Sequence, residues 1–207
     1  MKSLIVGCSS THGCDTVSSW YNLENCQHSW ANLLSQQLGY EPDNQAIPGN
    51  SNEAIFHLAV EQLKNYDLLI VGWTGLHRET WSCEGKNYFF GPIWTCCVEQ
   101  SGKDYVQTQE YAGVTAVSDQ PEMLDIIHAQ HKFLFTHKFD RKEQLKKVMN
   151  YRHCLKTLCQ ANNVRYIDAN VIEQIFPDVP TVDNSSGRHP TCQQHEDFAK
   201  LLSACKE

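Results

Sequence analysis

The chain has 207 residues, 41% of them hydrophobic and 20% charged, a mix that supports one folded domain with a sizeable core and excludes a disordered polymer. Its formal net charge of −7 is the wrong sign for a nucleic-acid partner. The densest basic run, Lys138 to Lys147, carries Asp140 and Glu143 within it and reads as a solvated helix face.

No apolar stretch approaches the roughly 18 residues of a membrane span. Near Met1 there is no basic segment followed by an apolar one, so neither a signal peptide nor a membrane partner is expected, and the expected location is the cytoplasm. Ten cysteines without an export signal read as free thiols, several of them buried, as at the helical positions Cys159 and Cys205.

The first strand is expected at Ser3–Gly7, followed by the turn Gly7-Cys8-Ser9-Ser10-Thr11. Trp30, Leu33, Leu34 and Leu38 then recur at helical spacing up to Gly39. A second strand near Asn44–Ile47 leads into the turn Pro48-Gly49-Asn50-Ser51-Asn52, and Ile55, Leu58, Ala59 and Leu63 mark the next helix. The run Asp67–Trp73 is the clearest buried strand. From about residue 79 to 120, glycines punctuate aromatic residues, including Trp81, and the region reads as an insertion of loops with a small hairpin, a candidate substrate lid. Helices are expected over Glu122–Thr136 and Arg141–Gln160, a late strand over Val164–Asp168, and a final helix over Gln194–Cys205. Apolar runs alternating with helical patterns predict an α/β fold, three layers deep, with a mostly parallel sheet of four or five strands.

Ser9 follows the first strand and His189 precedes the last helix, the placement a Ser/His hydrolase pair requires. The Gly49 turn adds backbone N–H donors for an oxyanion. Simpler roles compete for each residue. Ser9 suits a serine that satisfies a strand-to-helix turn, His189 a turn residue or helix-entry cap, Asn52 a residue that ties its turn together or caps the following helix, and Trp73 or Trp81 core or lid packing. Arg78, just past the third strand, reads equally as a holder of an anionic substrate group and as a salt-bridge partner of Glu79 or Glu84.

The order of these motifs resembles the SGNH (GDSL-like) hydrolase superfamily, most closely the SGNH-like proteins frequent in bacteriophage genomes. The resemblance rests on Gly7-Cys8-Ser9-Ser10-Thr11, Ile47-Pro48-Gly49-Asn50-Ser51-Asn52, Val71-Gly72-Trp73-Thr74 with Arg78, and His189-Pro190, which together span nearly the whole chain. It implies a single domain of flavodoxin-like strand order. It also implies Ser9 as nucleophile, His189 as its base, and an oxyanion hole from the N–H groups of Ser9 and Gly49. Asn52, Trp73 and Arg78 become candidate substrate contacts. Cys8 stands in for the usual Asp before the nucleophile.

Two departures concern the chemistry itself. Thr74 occupies the position of the family's oxyanion Asn, with a shorter hydroxyl donor. Ser186 occupies the position of the Asp three residues before the histidine, which leaves Asp183 to orient His189. The expected activity is a metal-independent serine esterase acting on a small acyl ester, for example an O-acetylated carbohydrate, with no cofactor. The rival is a non-catalytic binding module with an eroded site. A third arrangement gathers His12 and Cys14 with His189, Cys192 and His195 around a zinc ion, although a Ser/His pair and a helix start account for the same residues.

Overall fold

The computed structural model describes residues 1–14, 23–83, 86–91, 94–99, 109–111, 114–116, 129, 133, 140–182 and 189–204. In chain order its elements are β1 (Lys2–Val6), α1 (Ser9–His12), α2 (Leu23–Gln27), α3 (Trp30–Gln37), β2 (Glu41–Asn44), α4 (Asn52–Gln62) and β3 (Leu68–Trp73). Five strands follow: β4 (Glu79–Cys83), β5 (Lys86–Gly91), β6 (Trp94–Glu99), β7 (Gln109–Tyr111) and β8 (Val114–Ala116). The chain then returns through α5 (Arg141–Ala161), β9 (Arg165–Asn170) and α6 (Cys192–Ala204). The helix expected over Glu122–Thr136 lies outside the described residues except for Ala129 and Phe133, which are helical.

β2, β1, β3 and β9 lie side by side in that order, all parallel. Strand alternation sends successive side chains to opposite faces. Leu4, Val6, Leu69 and Val71 meet Ile55 and Ala59 of α4 and Val148, Leu155 and Cys159 of α5. Ile5, Leu68, Ile70 and Ala169 meet Trp30, Ala31 and Leu34 of α3 and Phe198, Ala199 and Leu202 of α6. Each such side chain, taken from water to full burial, contributes roughly 1.5–3 kcal/mol where it is Val, Leu, Ile or Phe. Helices on both faces of a parallel sheet make the expected three-layer α/β/α arrangement.

The helix ends are chemically marked. Ser29 caps α3 by accepting from Asn32 N–H, Ser51 caps α4 from Ala54 N–H, and Asp140 caps α5 from Lys142 and Glu143. At α6 Thr191 Oγ1 accepts from Gln194 N–H while Gln194 Oε1 accepts from Thr191 N–H, a reciprocal capping box. That box starts α6 at Cys192, two residues before the periodicity suggests.

Two expectations shift. The second strand is centred on Glu41–Asn44 rather than Asn44–Ile47, with Pro42 tolerated because β2 is an edge strand. The following chain still runs along β1, with Gln45 N–H on Ile5 O and Ile47 N–H on Gly7 O. The region read as loops with a hairpin instead forms a second sheet, ordered β4-β5-β6-β8-β7. Its aromatic and β-branched composition favours strands, and Gly91 is the last residue of β5.

Candidate active site

Three turns meet at the carboxyl ends of β1 and β3, where open α/β sheets place their ligands. The first begins at Gly7. A Cβ there would lie 2.3 Å from Thr11 Oγ1, and one at Gly72 on β3 would lie 1.9 Å from the same atom. Two glycines thus admit the Thr11 side chain and let the one-turn helix α1 settle onto the sheet. Cys8 is extended and its carbonyl accepts from Thr11 and His12 N–H, so Ser9 is the first residue of α1. Ser9 is only 4% exposed. As the first helical residue its N–H has no acceptor within the helix.

The second turn is tied to the first, because Ile47 N–H donates to Gly7 O at 3.1 Å. Asn50 N–H closes it on Ile47 O, and Gly49 sits at φ 84°, a left-handed conformation that a residue with a Cβ adopts only under strain. Asn52 then joins it to the third turn. Asn52 Nδ2 donates to Thr74 O and Asn52 Oδ1 accepts from Thr74 N–H, both at 2.9 Å. Asn52 was a candidate substrate contact; its buried amide is instead occupied with the Thr74 backbone, which fixes the end of β3 against the glycine turn. The start of β4 is held at the same place, with Thr80 Oγ1 donating to Ser51 Oγ at 2.7 Å.

Three polar side-chain atoms among these turns are buried without a hydrogen-bond partner, Thr11 Oγ1, Asn50 Oδ1 and Thr74 Oγ1. Thr74 is wholly buried and Asn50 is 1% exposed. Trp73, the other aromatic candidate on this strand, is a core residue. Its indole N–H donates to Asp168 Oδ2 at 3.1 Å and its ring meets Phe176 edge-on, the packing role the sequence also offered. Asp168 also accepts from Tyr166 Oη and Arg152 Nε, so the strand is braced from beneath by a charged network. Beyond it Arg78 is half-buried in a turn closed on Gly75 O, and Glu173 binds that turn through Leu76 N–H. Burial first, then the Arg78 charge, lowers the pKa of His77 beside it. The side chain of Trp81, on β4, lies outside the described residues.

The histidine side is built differently. Buried Asn170 at the end of β9 gathers the chain that follows it, its Nδ2 donating to Phe176 O and Val179 O and its Oδ1 accepting from Ile175 and Phe176 N–H. Residues 183–188, with Asp183, Ser186 and Arg188, lie outside the described residues. His189, half-buried, precedes α6. One turn into α6, fully buried His195 accepts Trp30 N–H on Nδ1 at 3.0 Å, so the first N–H of α3 ends on a side chain of α6. With Nδ1 accepting, the neutral ring carries its proton on Nε2. Burial, reinforced by His189, pushes His195 down to about 4. The sequence placed His195 in a candidate zinc group or at a helix start; its bond to the N-terminus of α3 has no pattern signal.

Among the described residues no hydrogen bond joins Ser9 Oγ to His189. None of their groups of three or more His, Cys, Asp or Glu side chains is arranged to hold a metal ion. His12 instead lies between two thiols, Cys26 Sγ at 3.1 Å from Nε2 and Cys14 Sγ at 3.9 Å from Nδ1. Opposite ring nitrogens face the two sulfurs, so one ion cannot take all three as ligands. Burial lowers His12 to about 4 and raises Cys26 to about 11, which leaves both neutral near pH 7.

No protein-family model matches the chain, and no curated protein sequence does. Solved structures do. A carbohydrate esterase whose active site displays divergent catalytic and non-catalytic binding functions is similar over 99% of this chain and 64% of its own, at 13% identity and a TM-score of 0.51. An acetyl xylan esterase from the rumen bacterium Butyrivibrio proteoclasticus covers 99% of this chain at 11% identity and a TM-score of 0.49, with 63% of its own chain covered. A lipase from a goat rumen metagenome matches over 100% of this chain and 97% of its own, at 12% identity and a TM-score of 0.48. The present chain therefore spans just under two thirds of the first two proteins. At such identities the likeness shows the fold alone, an α/β/α architecture.

Proposed function

We propose that the protein is a serine esterase that cleaves small acyl esters with Ser9 as nucleophile and His189 as general base. The observation that carries this reading is the meeting of three turns at one sheet edge. Ser9 opens a helix there, Gly49 holds a left-handed turn hydrogen-bonded to the same strand end, and the buried Thr74 hydroxyl has no partner. His189 takes the Ser9 proton as the hydroxyl attacks the ester carbonyl, then returns it to the leaving alcohol; water removes the acyl group by the same route. The N–H groups of Ser9 and Gly49, with Thr74 Oγ1, hold the oxyanion. Asp183 is assigned to orient His189.

In this reading the chain is a single domain, and residues 79–120 form an inserted lid over the site. The anchoring of Thr80 on Ser51 beside the glycine turn supports that placement. Arg78 is assigned to the substrate side of the same edge. An O-acetylated carbohydrate is the preferred substrate, in line with the activities named for two similar structures. Origin in a bacteriophage genome and a cytoplasmic location rest on the sequence alone.

The second reading is a binding module. Ser9 makes no hydrogen bond to His189, and Thr74 and Ser186 replace the two side chains on which the family chemistry depends. Hydrolysis of 4-nitrophenyl acetate and of acetylated xylo-oligosaccharide, by the purified protein and by Ser9→Ala, separates the two. Turnover that vanishes with Ser9 supports the esterase, and equal background rates support the binding module.

A further inference from the structure

Asn50 is the only amide at this edge whose side chain, among the described residues, folding leaves unused. It is 1% exposed, its Oδ1 is buried without a partner, and no hydrogen bond of the described residues uses its side-chain nitrogen. Buried amides are normally satisfied, because an unsatisfied one forfeits its bonds to water without replacing them. Its neighbours show the contrast. Ser51 caps α4, and Asn52 uses both amide atoms on Thr74. Asn50 alone in this run of polar residues keeps its side chain uncommitted.

Its position is fixed nonetheless. Asn50 N–H donates to Ile47 O, Ile47 N–H donates to Gly7 O, and Gly7 lies two residues before Ser9. Asn52, two residues on, ties the turn to Thr74. The amide is therefore carried on a backbone clamped at both ends, immediately after Gly49. A donor aimed before reaction begins needs this arrangement, since stabilisation of a developing oxyanion depends on groups that do not reorganise.

We propose that Asn50 is a catalytic residue, whose side-chain amide donates to the oxyanion of the reacting ester and supplies from the glycine turn what Thr74 is too short to supply from the end of β3. The proposal rests on the esterase reading above. During attack, the Ser9 Oγ–carbon bond forms, the carbonyl π pair moves onto oxygen, the proton passes to His189, and Asn50 Nδ2–H bonds the new oxyanion without being transferred. Thr74 Oγ1 is left as a weaker, auxiliary donor.

The test compares wild type, Ser9→Ala, Asn50→Ala and Asn50→Asp on 4-nitrophenyl acetate, with kcat and KM separated and thermal unfolding of each recorded. Loss of one oxyanion donor lowers kcat by about 100- to 1,000-fold with KM little changed. Asn50→Asp, similar in shape but lacking the N–H, is expected to lose at least as much. The Tm of Asn50→Ala is expected to hold or rise, because the substitution removes an unsatisfied buried group, whereas a structural asparagine would lower it. Ser9-dependent turnover with wild-type kcat in either Asn50 variant overturns the proposal while the esterase reading stands. A fall in kcat that merely tracks a fall in Tm overturns it as well. Absence of Ser9-dependent turnover in the wild type removes both.

Discussion

The two sides of the candidate site are held by different kinds of bond. On the nucleophile side, backbone groups carry the geometry: Ile47 to Gly7, Asn50 to Ile47, and the Asn52 amide to both polar groups of the Thr74 backbone. On the histidine side a buried imidazole does the work, with His195 of α6 receiving the first N–H of α3. The bonds of the first contain no titrating group, but α1, which begins at Ser9, ends on buried His12, so acid reaches that side too. The second is sensitive to protonation. His189, the proposed base, precedes a helix anchored by a second histidine, which is buried.

The largest effects test whether the two sides act together. Ser9→Ala and His189→Ala are each expected to lower ester turnover by about 1,000-fold or more, and the double variant by little beyond either single one, because nucleophile and base act as a unit. Multiplicative losses in the double variant would separate the sides chemically.

Next in size is the response to acid. His195 and His12 are both held near 4 in the folded protein, below the ordinary histidine value of 6.5. Between those values the unfolded chain binds more protons than the folded one, so stability rises with pH. It is complete above about 6.5 and is lost as pH falls toward 4. Each histidine accounts for about 3 kcal/mol across that window. Urea unfolding at a series of pH values is expected to show the slope, reduced in His195→Gln. An unchanged slope in that variant would remove the acid lability from the histidine side.

Asn52→Ala strikes the backbone clamp. It strands the Thr74 N–H and carbonyl, at about 1–3 kcal/mol for each group left buried and unsatisfied. The expected drop in Tm is measurable by calorimetry, and an unchanged Tm would show that water replaces the amide. Smallest is Gly49→Ala, where φ of 84° imposes about 1–2 kcal/mol of strain. Chemical denaturation should detect that loss with no dependence on pH, in contrast to His195.

How far each side was legible in the sequence follows the same division. Strands such as Leu68–Trp73 are continuous apolar runs, and the turns after them contain Gly7 and Gly49, whose local chemistry marks them. The nucleophile side was readable for that reason. The partners of Asn52 and Trp73 were not, because a buried asparagine bonding Thr74 and an indole bonding Asp168 connect residues 22 and 95 positions apart. His195 to Trp30 spans 165 positions, beyond any local pattern. The second sheet was missed because glycine marks a strand's end as readily as a loop, although three of its four strand pairs join consecutive strands.

The most direct test is reaction of the folded protein with a fluorophosphonate, the adduct being located by peptide mass spectrometry. A single adduct on Ser9, absent from Ser9→Ala and strongly slowed in His189→Ala, is the expected result. A folded wild-type protein that forms no adduct at Ser9, or forms one at the same rate without His189, would contradict the pairing of Ser9 with His189.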